Sequence, residues 1–154
     1  MSASKRTQAK DGRLFELTLK PERGYWNDGQ PDTSPDGRVG PYLASGQGTA
    51  EGTTLRGTVT WDLFEDQEDD SLHPSDMAGV IATADGAKIS FQTIGIFVAR
   101  NEEKTRWHQT AAMRFRTVDE RYARLNTVLA TMEGTFDYDT RTHHYKVTAA
   151  GGSK

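Results

Sequence analysis

Apolar and polar residues alternate with a period of two along much of the chain, which is typical of β-strands that bury one face. In the segment 58–64 the apolar residues Val59, Trp61 and Leu63 fall on one face, and threonine and aspartate fall on the other. The segment 107–115 alternates more regularly still. These segments therefore predict strands with one buried and one solvated side.

Turn residues separate the apolar runs. A first strand is predicted around Leu14–Leu19, before a long segment from Gly24 to Gly40 that is rich in glycine and proline. The runs 77–83 and 88–98 flank the pair Asp85-Gly86, and Asp-Gly favours a tight hairpin turn because both central residues tolerate a positive φ. We therefore expect a hairpin at this point.

Two segments depart from simple alternation. Ile89 and Phe91 share one phase, whereas Ile94 and Ile96 lie in the opposite phase, so we expect a β-bulge near Gly95. Residues 118–126 instead favour one or two helical turns, with Asp119 placed to cap them. Two further strands are predicted at 127–136 and 142–149.

The fold class that follows is all-β, with about eight antiparallel strands and one short helical segment. Closing such a sheet into a small barrel removes both of its edges, so we expect a closed barrel; a β-sandwich is the alternative. We expect residues 13–150 to form this single domain and residues 1–12 to be a disordered tail. The adjacent Tyr25 and Trp26 suit a plug for the barrel mouth or a subunit contact.

Composition excludes several classes of protein. The 154 residues include no cysteine, which removes disulfides, thiolate zinc sites and cysteine nucleophiles. No apolar stretch approaches the roughly 20 residues of a membrane-spanning helix, and the N-terminus lacks the apolar core of a signal peptide. A net charge of -3 argues against nucleic-acid binding. We therefore expect a cytoplasmic protein without nucleic-acid or membrane partners.

Three segments, in order along the chain, carry a family resemblance. They are 48–59, 83–89 and 115–126, which read GTAEGTTLRGTV, TADGAKI and FRTVDERYARLN. In these segments the chain resembles the DUF3237 family, also called UPF0311, which is related in fold to the allene oxide cyclase and calycin-like barrels. The resemblance implies a barrel with a central cavity that binds or converts a small, largely apolar molecule.

Candidate chemistry is limited to acid–base groups within such a barrel. A carboxylate or histidine enclosed by apolar walls has its charged form disfavoured, which suits it to proton transfer near neutral pH. The catalytic candidates are Glu51, Asp62, Tyr122 and His143. The ligand-binding candidates are Trp61, Phe91, Trp107, Met113 and Arg114.

The acidic segment 65–70, followed by His73 and Asp76, is the most conspicuous local feature. It lacks the glycine and the ligand spacing of a calcium loop, so we interpret it as a solvated loop between two strands. The histidines show neither i, i+2 nor i, i+4 spacing, so we expect no metal site and no cofactor. His143 and His144 point to opposite faces of one strand, so one of them can enter the interior.

Two functional hypotheses remain. The first is a barrel that binds a small hydrophobic or aromatic metabolite. In its catalytic form, this hypothesis predicts a cofactor-free isomerase, cyclase or lyase. The second is a non-enzymatic structural barrel with a filled interior that assembles into homo-oligomers. The apolar residues on both faces of 88–98 favour self-association, because a strand covered on both sides contacts a partner as well as the core.

Overall fold

The structure, a computed structural model, describes residues 12–24, 42–66 and 69–150. Eight strands and one 3₁₀ helix, Glu120–Thr127, make up this part of the chain. The strands are β1 (Arg13–Gly24), β2 (Tyr42–Glu51), β3 (Arg56–Glu65), β4 (Leu72–Thr83), β5 (Lys88–Ala99), β6 (Arg106–Arg116), β7 (Leu129–Asp137) and β8 (Thr142–Ala149).

The strands form a closed barrel in sequence order. Each strand pairs antiparallel with the next, and β8 pairs with β1 through partners such as Leu17 and Tyr145. Closure leaves neither β1 nor β8 as an edge, which is the physical advantage expected of a barrel over an open sheet. The predicted barrel of about eight strands with one helical segment is confirmed, and the sandwich alternative is wrong.

The antiparallel order gives the barrel two different ends. At the upper end, β3, β5 and β7 finish and β4, β6 and β8 begin. At the lower end lie the turns 52–55 and 84–87 and the helix. Tyr122 and Leu125 of the helix join the main apolar core, as does Leu55 of the first of these turns. The lower half of the interior is thus packed by apolar side chains.

The hairpin predicted at Asp85-Gly86 is confirmed. Thr83 and Ala87 are joined by a backbone hydrogen bond of 2.9 Å, and β4 and β5 continue from this turn. Gly86 has a φ of 95°, a conformation that costs glycine far less than residues with a side chain. The helical segment is also confirmed, since Asp119 caps it by accepting the backbone N–H of Arg121 at 2.9 Å.

The β-bulge predicted near Gly95 is wrong. β5 pairs with β4 and with β6 without a register shift through this residue. Alternation simply continues, with Thr93 inside the barrel, while Ile94 and Ile96 point outward and are 75% and 40% exposed. The phase of the apolar residues changes because the outer surface of β5 is apolar at this point.

Other sequence predictions fall on segments that the structure does not describe. Of the tail expected over residues 1–12, residues 1–11 lie outside the described residues, as does the segment 25–41 with Tyr25 and Trp26. The domain boundary at residue 13 therefore stays a prediction. No helix among the described residues is long and apolar enough to cross a membrane.

Candidate functional site

Six polar side chains enter the barrel near its upper end. All six are buried, with His143 only 2% exposed and Tyr145 fully enclosed. They come from β3, β4, β6 and β8 and lie among aromatic residues. The six polar residues are Glu65, His73, Ser75, Gln109, His143 and Tyr145. We refer to these six residues as the upper polar cluster. Because burying polar groups is costly unless they are hydrogen-bonded, each has a defined partner.

The first pair in the cluster joins a carboxylate to an imidazole. Glu65 is the last residue of β3, and its Oε1 contacts Nδ1 of His73 near the start of β4. The His73 ring stacks on Trp107 with a centroid distance of 4.5 Å and an angle of 28°. The Trp107 indole N–H donates to the carbonyl of Lys104 at 2.9 Å. The imidazole is therefore held on one edge by a carboxylate and on one face by an indole.

This pair corrects the interpretation of the acidic segment as a solvated loop. Glu65 and His73 are 7% and 8% exposed, so both belong to the interior. Asp69 fits the loop interpretation, because it is exposed and accepts the backbone N–H groups of Ser71 and Leu72. Those hydrogen bonds, led by that from Ser71, lower the pKa of Asp69.

The other four residues form a continuous hydrogen-bonded chain. Nδ1 of His143 lies 2.6 Å from the Tyr145 hydroxyl, which donates to Oε1 of Gln109. Nε2 of Gln109 then donates to Oγ of Ser75 at 3.1 Å. The hydrogen-bonded chain crosses from β8 to β6 to β4 through the interior of the barrel, so it joins three strands of which no two are neighbours.

Aromatic rings surround His143. The ring centroids of Phe136, Trp61 and Phe97 lie 4.3, 5.3 and 6.2 Å from that of His143. Burial lowers the pKa of His143 to about 3, since its charged form loses hydration. Burial, followed by the negative charge of Glu65, raises the pKa of Tyr145 well above its ordinary value. At neutral pH His143 is thus uncharged and Tyr145 keeps its proton.

The Glu65–His73 pair and the hydrogen-bonded series from His143 to Ser75 belong to one site. Ser75 is the register partner of Glu65 on the adjoining strand, and the charge of Glu65 acts on Tyr145. The site can exchange protons through its imidazoles and can direct hydrogen bonds toward a bound molecule. Among the residues that the structure describes, no three His, Asp or Glu side chains are grouped to hold a metal ion.

Two of the predicted catalytic residues lie at the lower end. Glu51 ends β2, is exposed and forms an ion pair with Arg56 at 3.2 Å. The hydroxyl of Tyr122 donates to Oδ2 of Asp85 at 2.8 Å, and burial followed by this bond raises the pKa of Tyr122. Neither is brought together with His143.

Asp62 and Arg114 occur on the outer surface. Both line a groove of about 740 Å³ that runs across β1 to β6, with Ala78 and Gly79 between them. The remaining predicted residues are buried within the barrel. Trp61 and Trp107 contact the histidines of the upper polar cluster, whereas Phe91 and Met113 belong to the apolar core below it.

Of the six residues in the upper polar cluster, only His143 was among the predicted site residues. Alternation contained the missing signal, because His73 and Ser75 share the inward phase of Met77, and Glu65 shares that of Leu63. Tyr145 is two residues from His143 and Gln109 two residues from Trp107, so a period of two places each on the same face as its neighbour. Extending the period of two through polar residues would have located all of them.

Solved structures with the same fold extend over most of the chain. A β-barrel-like protein from Acinetobacter baumannii AYE has a TM-score of 0.69 and 20% identity, covering 89% of this chain and 92% of its own. A protein of unknown function from Clostridium acetobutylicum has a TM-score of 0.68 and 15% identity, covering 89% of this chain and 95% of its own. An enzyme from Penicillium herquei has a TM-score of 0.53 and 22% identity, covering 88% of this chain and 91% of its own.

At these identities the structural neighbours show the fold alone. A comparison with curated proteins found no significant match. A family model described as "Protein of unknown function (DUF3237)" matches residues 14–149, which includes all three motif segments found in the sequence. The chain therefore belongs to the DUF3237 family.

Proposed function

We propose that the upper end of the barrel binds a small aromatic or hydrophobic molecule and transfers a proton within it, without a cofactor. The reaction class is an isomerisation, a cyclisation or an elimination. The observation that carries the proposal is the buried pair of Glu65 and His73, which is set against an indole in a cluster that holds a second buried histidine. Paired acid–base groups in an apolar enclosure are typical of sites for proton transfer.

The Glu65–His73 pair supplies the acid–base step. A carboxylate that accepts the Nδ1 proton of an imidazole leaves Nε2 for the substrate and stabilises the imidazolium formed when Nε2 takes a proton. His73 then returns that proton to a different atom of the same molecule, or to the leaving group in an elimination. Protons balance over the cycle, and no electrons are exchanged with an outside group.

The aromatic residues supply the binding surface. Trp61, Phe97 and Trp107 lie near the two buried histidines, so a flat apolar molecule placed there contacts rings on several sides. His143 and Tyr145 add neutral hydrogen-bonding groups that fix its orientation. Holding the substrate in one conformation contributes to the rate by reducing the entropy lost in the transition state.

The structural comparisons support this proposal at the level of the fold. The neighbour from Penicillium herquei is an enzyme, so this barrel architecture accommodates catalysis in at least one protein. The cytoplasmic location and the lack of nucleic-acid and membrane partners stay predictions from composition.

A ligand screen followed by a matched pair of variants tests the proposal. Small aromatic, polyketide-like and fatty-acid-derived compounds are screened by thermal shift, since a ligand that binds the native state raises Tm. Compounds that shift Tm are then assayed for conversion with wild type, Glu65→Gln and Glu133→Gln. Glu133 pairs with His108 on the outer surface at 3.0 Å, which makes it the exposed counterpart of Glu65.

We expect conversion to fall at least a hundredfold in Glu65→Gln, the lower range of general acid–base contributions, and to persist in Glu133→Gln. Equal activity in the two variants would remove the Glu65–His73 pair from the mechanism. A screen in which no compound raises Tm would favour a barrel with a filled interior.

A second candidate function is self-association, which an apolar strip on the outer surface favours. Its most exposed members are Leu72, Ile94, Ile96 and Leu129, at 40%, 75%, 40% and 52% exposure. Beside Ile94 lies a depression of about 210 Å³ lined in part by Asp76, Ala112 and Arg114. Grouped exposed apolar residues of this kind mark interaction surfaces.

We propose a second copy of this chain as the occupant of the strip. The same patch offers a projecting side chain, Ile94, and a depression next to it, so two copies related by a two-fold axis can each insert Ile94 into the other. The depression is lined in part by Ala112 and Leu129, which an inserted Ile94 side chain can contact. This assembly is compatible with either an active or a filled interior.

A further inference from the structure

The hydrogen bonds of Ser75, Gln109, Tyr145 and His143 run in a defined direction. Nε2 of Gln109 carries protons and donates to Ser75, so the other amide atom, Oε1, is an acceptor. The Tyr145 hydroxyl has a single proton and gives it to that Oε1. Its oxygen is then left to accept a hydrogen bond from Nδ1 of His143, 2.6 Å away.

This direction determines where the proton of His143 lies. A neutral imidazole carries one N–H, and the neutral form is the one that burial favours. If Nδ1 holds that proton to donate to Tyr145, Nε2 is left with a lone pair. Free histidine favours the Nε2–H tautomer, so these hydrogen bonds select the less common, Nδ1–H form of the His143 ring.

We infer that Ser75, Gln109 and Tyr145 position His143 as the Nδ1–H tautomer, so that its Nε2 accepts a hydrogen bond from a phenolic or enolic hydroxyl of the bound molecule. The tautomer assignment stands on the hydrogen-bonded chain alone, whereas the ligand class rests on the proposed function. Tyr145, Gln109 and Ser75 are positioning residues in this account, because they act through His143.

The rings around His143 support a flat hydroxyl-bearing ligand. Phe136 lies over the imidazole at 4.3 Å with a tilt of 31°, whereas Trp61 meets it edge-on at 67°. An aromatic hydroxyl satisfies both requirements of this environment, an apolar body for the rings and a proton for Nε2. A carbonyl or ether oxygen lacks that proton and leaves the Nε2 lone pair unpaired, which is costly in a buried site.

Ring nitrogen NMR tests the tautomer directly in the ligand-free protein. In ¹⁵N-histidine-labelled wild type, the signals that disappear in His143→Asn identify the His143 ring, and we expect the shift pattern of a neutral Nδ1–H ring. Tyr145→Phe removes the acceptor and is expected to move the ring to the Nε2–H form. Tyr122→Phe deletes a hydroxyl at the lower end and is expected to leave the pattern unchanged.

An Nε2–H ring in wild type would overturn the assignment, whether or not Tyr145→Phe folds. The ligand class is tested with 2-naphthol and 2-methoxynaphthalene, which differ in the proton of one oxygen. We expect wild type to bind 2-naphthol about tenfold more tightly, the value of roughly one hydrogen bond, and His143→Phe to lose that preference.

Equal affinity of wild type for the two naphthalenes would contradict the ligand class while leaving the proposed binding function intact. Failure of both to bind, with the Nδ1–H ring observed, would count against the ligand class and the proposed function and leave the tautomer assignment standing. The NMR measurement therefore tests the tautomer of His143, and the comparison of the two naphthalenes separately tests the ligand that His143 binds.

Discussion

The hydroxyl of Tyr145 donates a hydrogen bond to Gln109 although β7 lies between their two strands. The residue of β7 in register with both is Gly134. Because glycine has no side chain, the interior is clear at the point where the two side chains meet. Gly134 is thus an inward position at which no side chain stands between Tyr145 and Gln109.

Substituting Gly134 by alanine is expected to destabilise the barrel by about 1–3 kcal/mol, the usual cost of overpacking. A Cβ at Gly134 would lie 1.9 Å from the carbonyl oxygen of His144, so the β7–β8 pairing must shift to admit it. Urea denaturation measures the loss. Thr135→Ala, at an exposed position of the same strand, is the control, and equal stability of the two variants would contradict this account.

Stability is expected to fall as the pH drops below neutrality, with His143 as one cause. Burial lowers its pKa from 6.5 to about 3, so below pH 6.5 the unfolded chain binds a proton that the native state does not. The contribution of neutral His143 to the free energy of unfolding is therefore complete above pH 6.5 and is lost as the pH falls toward 3. Its slope is at most about 1.4 kcal/mol per pH unit.

Denaturation of wild type and His143→Asn between pH 7.5 and 4.5 isolates this contribution from that of other titrating groups. Asparagine keeps a side-chain donor but does not titrate in this range. We expect the stability of the variant to depend less steeply on pH than that of wild type. Parallel pH profiles would show that His143 is not held neutral by the fold.

Tyr122→Phe is expected to affect stability and not the upper end. Its hydroxyl bonds to Asp85 in the turn between β4 and β5, and that turn lies at the opposite end from His143. Loss of the bond should lower Tm by about 2–4 °C, the value of roughly one hydrogen bond in a chain of this size. Calorimetry gives the Tm. A change in ligand affinity with Tm unaltered would return Tyr122 to the functional site, where it was predicted as a catalytic residue.

Ile94→Asp is expected to convert a self-associated form to monomers without unfolding the barrel. Ile94 is 75% exposed, so the single chain loses little packing, whereas a charge buried between two copies is costly. Light scattering and circular dichroism measure mass and fold. Thr49→Asp, an exposed outward position on β2, is the control. A wild-type monomer at micromolar concentration would contradict the proposed assembly.

The barrel was predictable because most inward positions are apolar. Alternation over 58–64 and 107–115 located β3 and β6, and the Asp-Gly pair located the turn between β4 and β5. Closure followed from the number of strands, because a sheet of that size avoids exposed edges by joining its ends. Local sequence chemistry and global fold agree in these segments.

The upper polar cluster was harder to predict because it reverses the usual pattern. At the start of β4, His73 and Ser75 point inward while Leu72 and Pro74 point outward, so hydropathy placed these residues in a loop. Glu65 was hidden in the same way by the acidic residues that follow it. β5 shows the same reversal at Ile94, and this reversal led to the incorrect prediction of a β-bulge.

Binding of a small molecule among the buried histidines can be observed at the histidine rings themselves. His73 and His143 lie in the upper polar cluster, whereas His108 and His144 are on the outer surface, paired with Glu133 and Glu16 at 3.0 and 3.1 Å. Titrating a compound from the thermal-shift screen into ¹⁵N-histidine-labelled protein should shift both inner rings and neither outer ring. Shifts confined to His108 or His144, with the inner rings unchanged, would place the ligand outside the barrel and contradict the proposed binding.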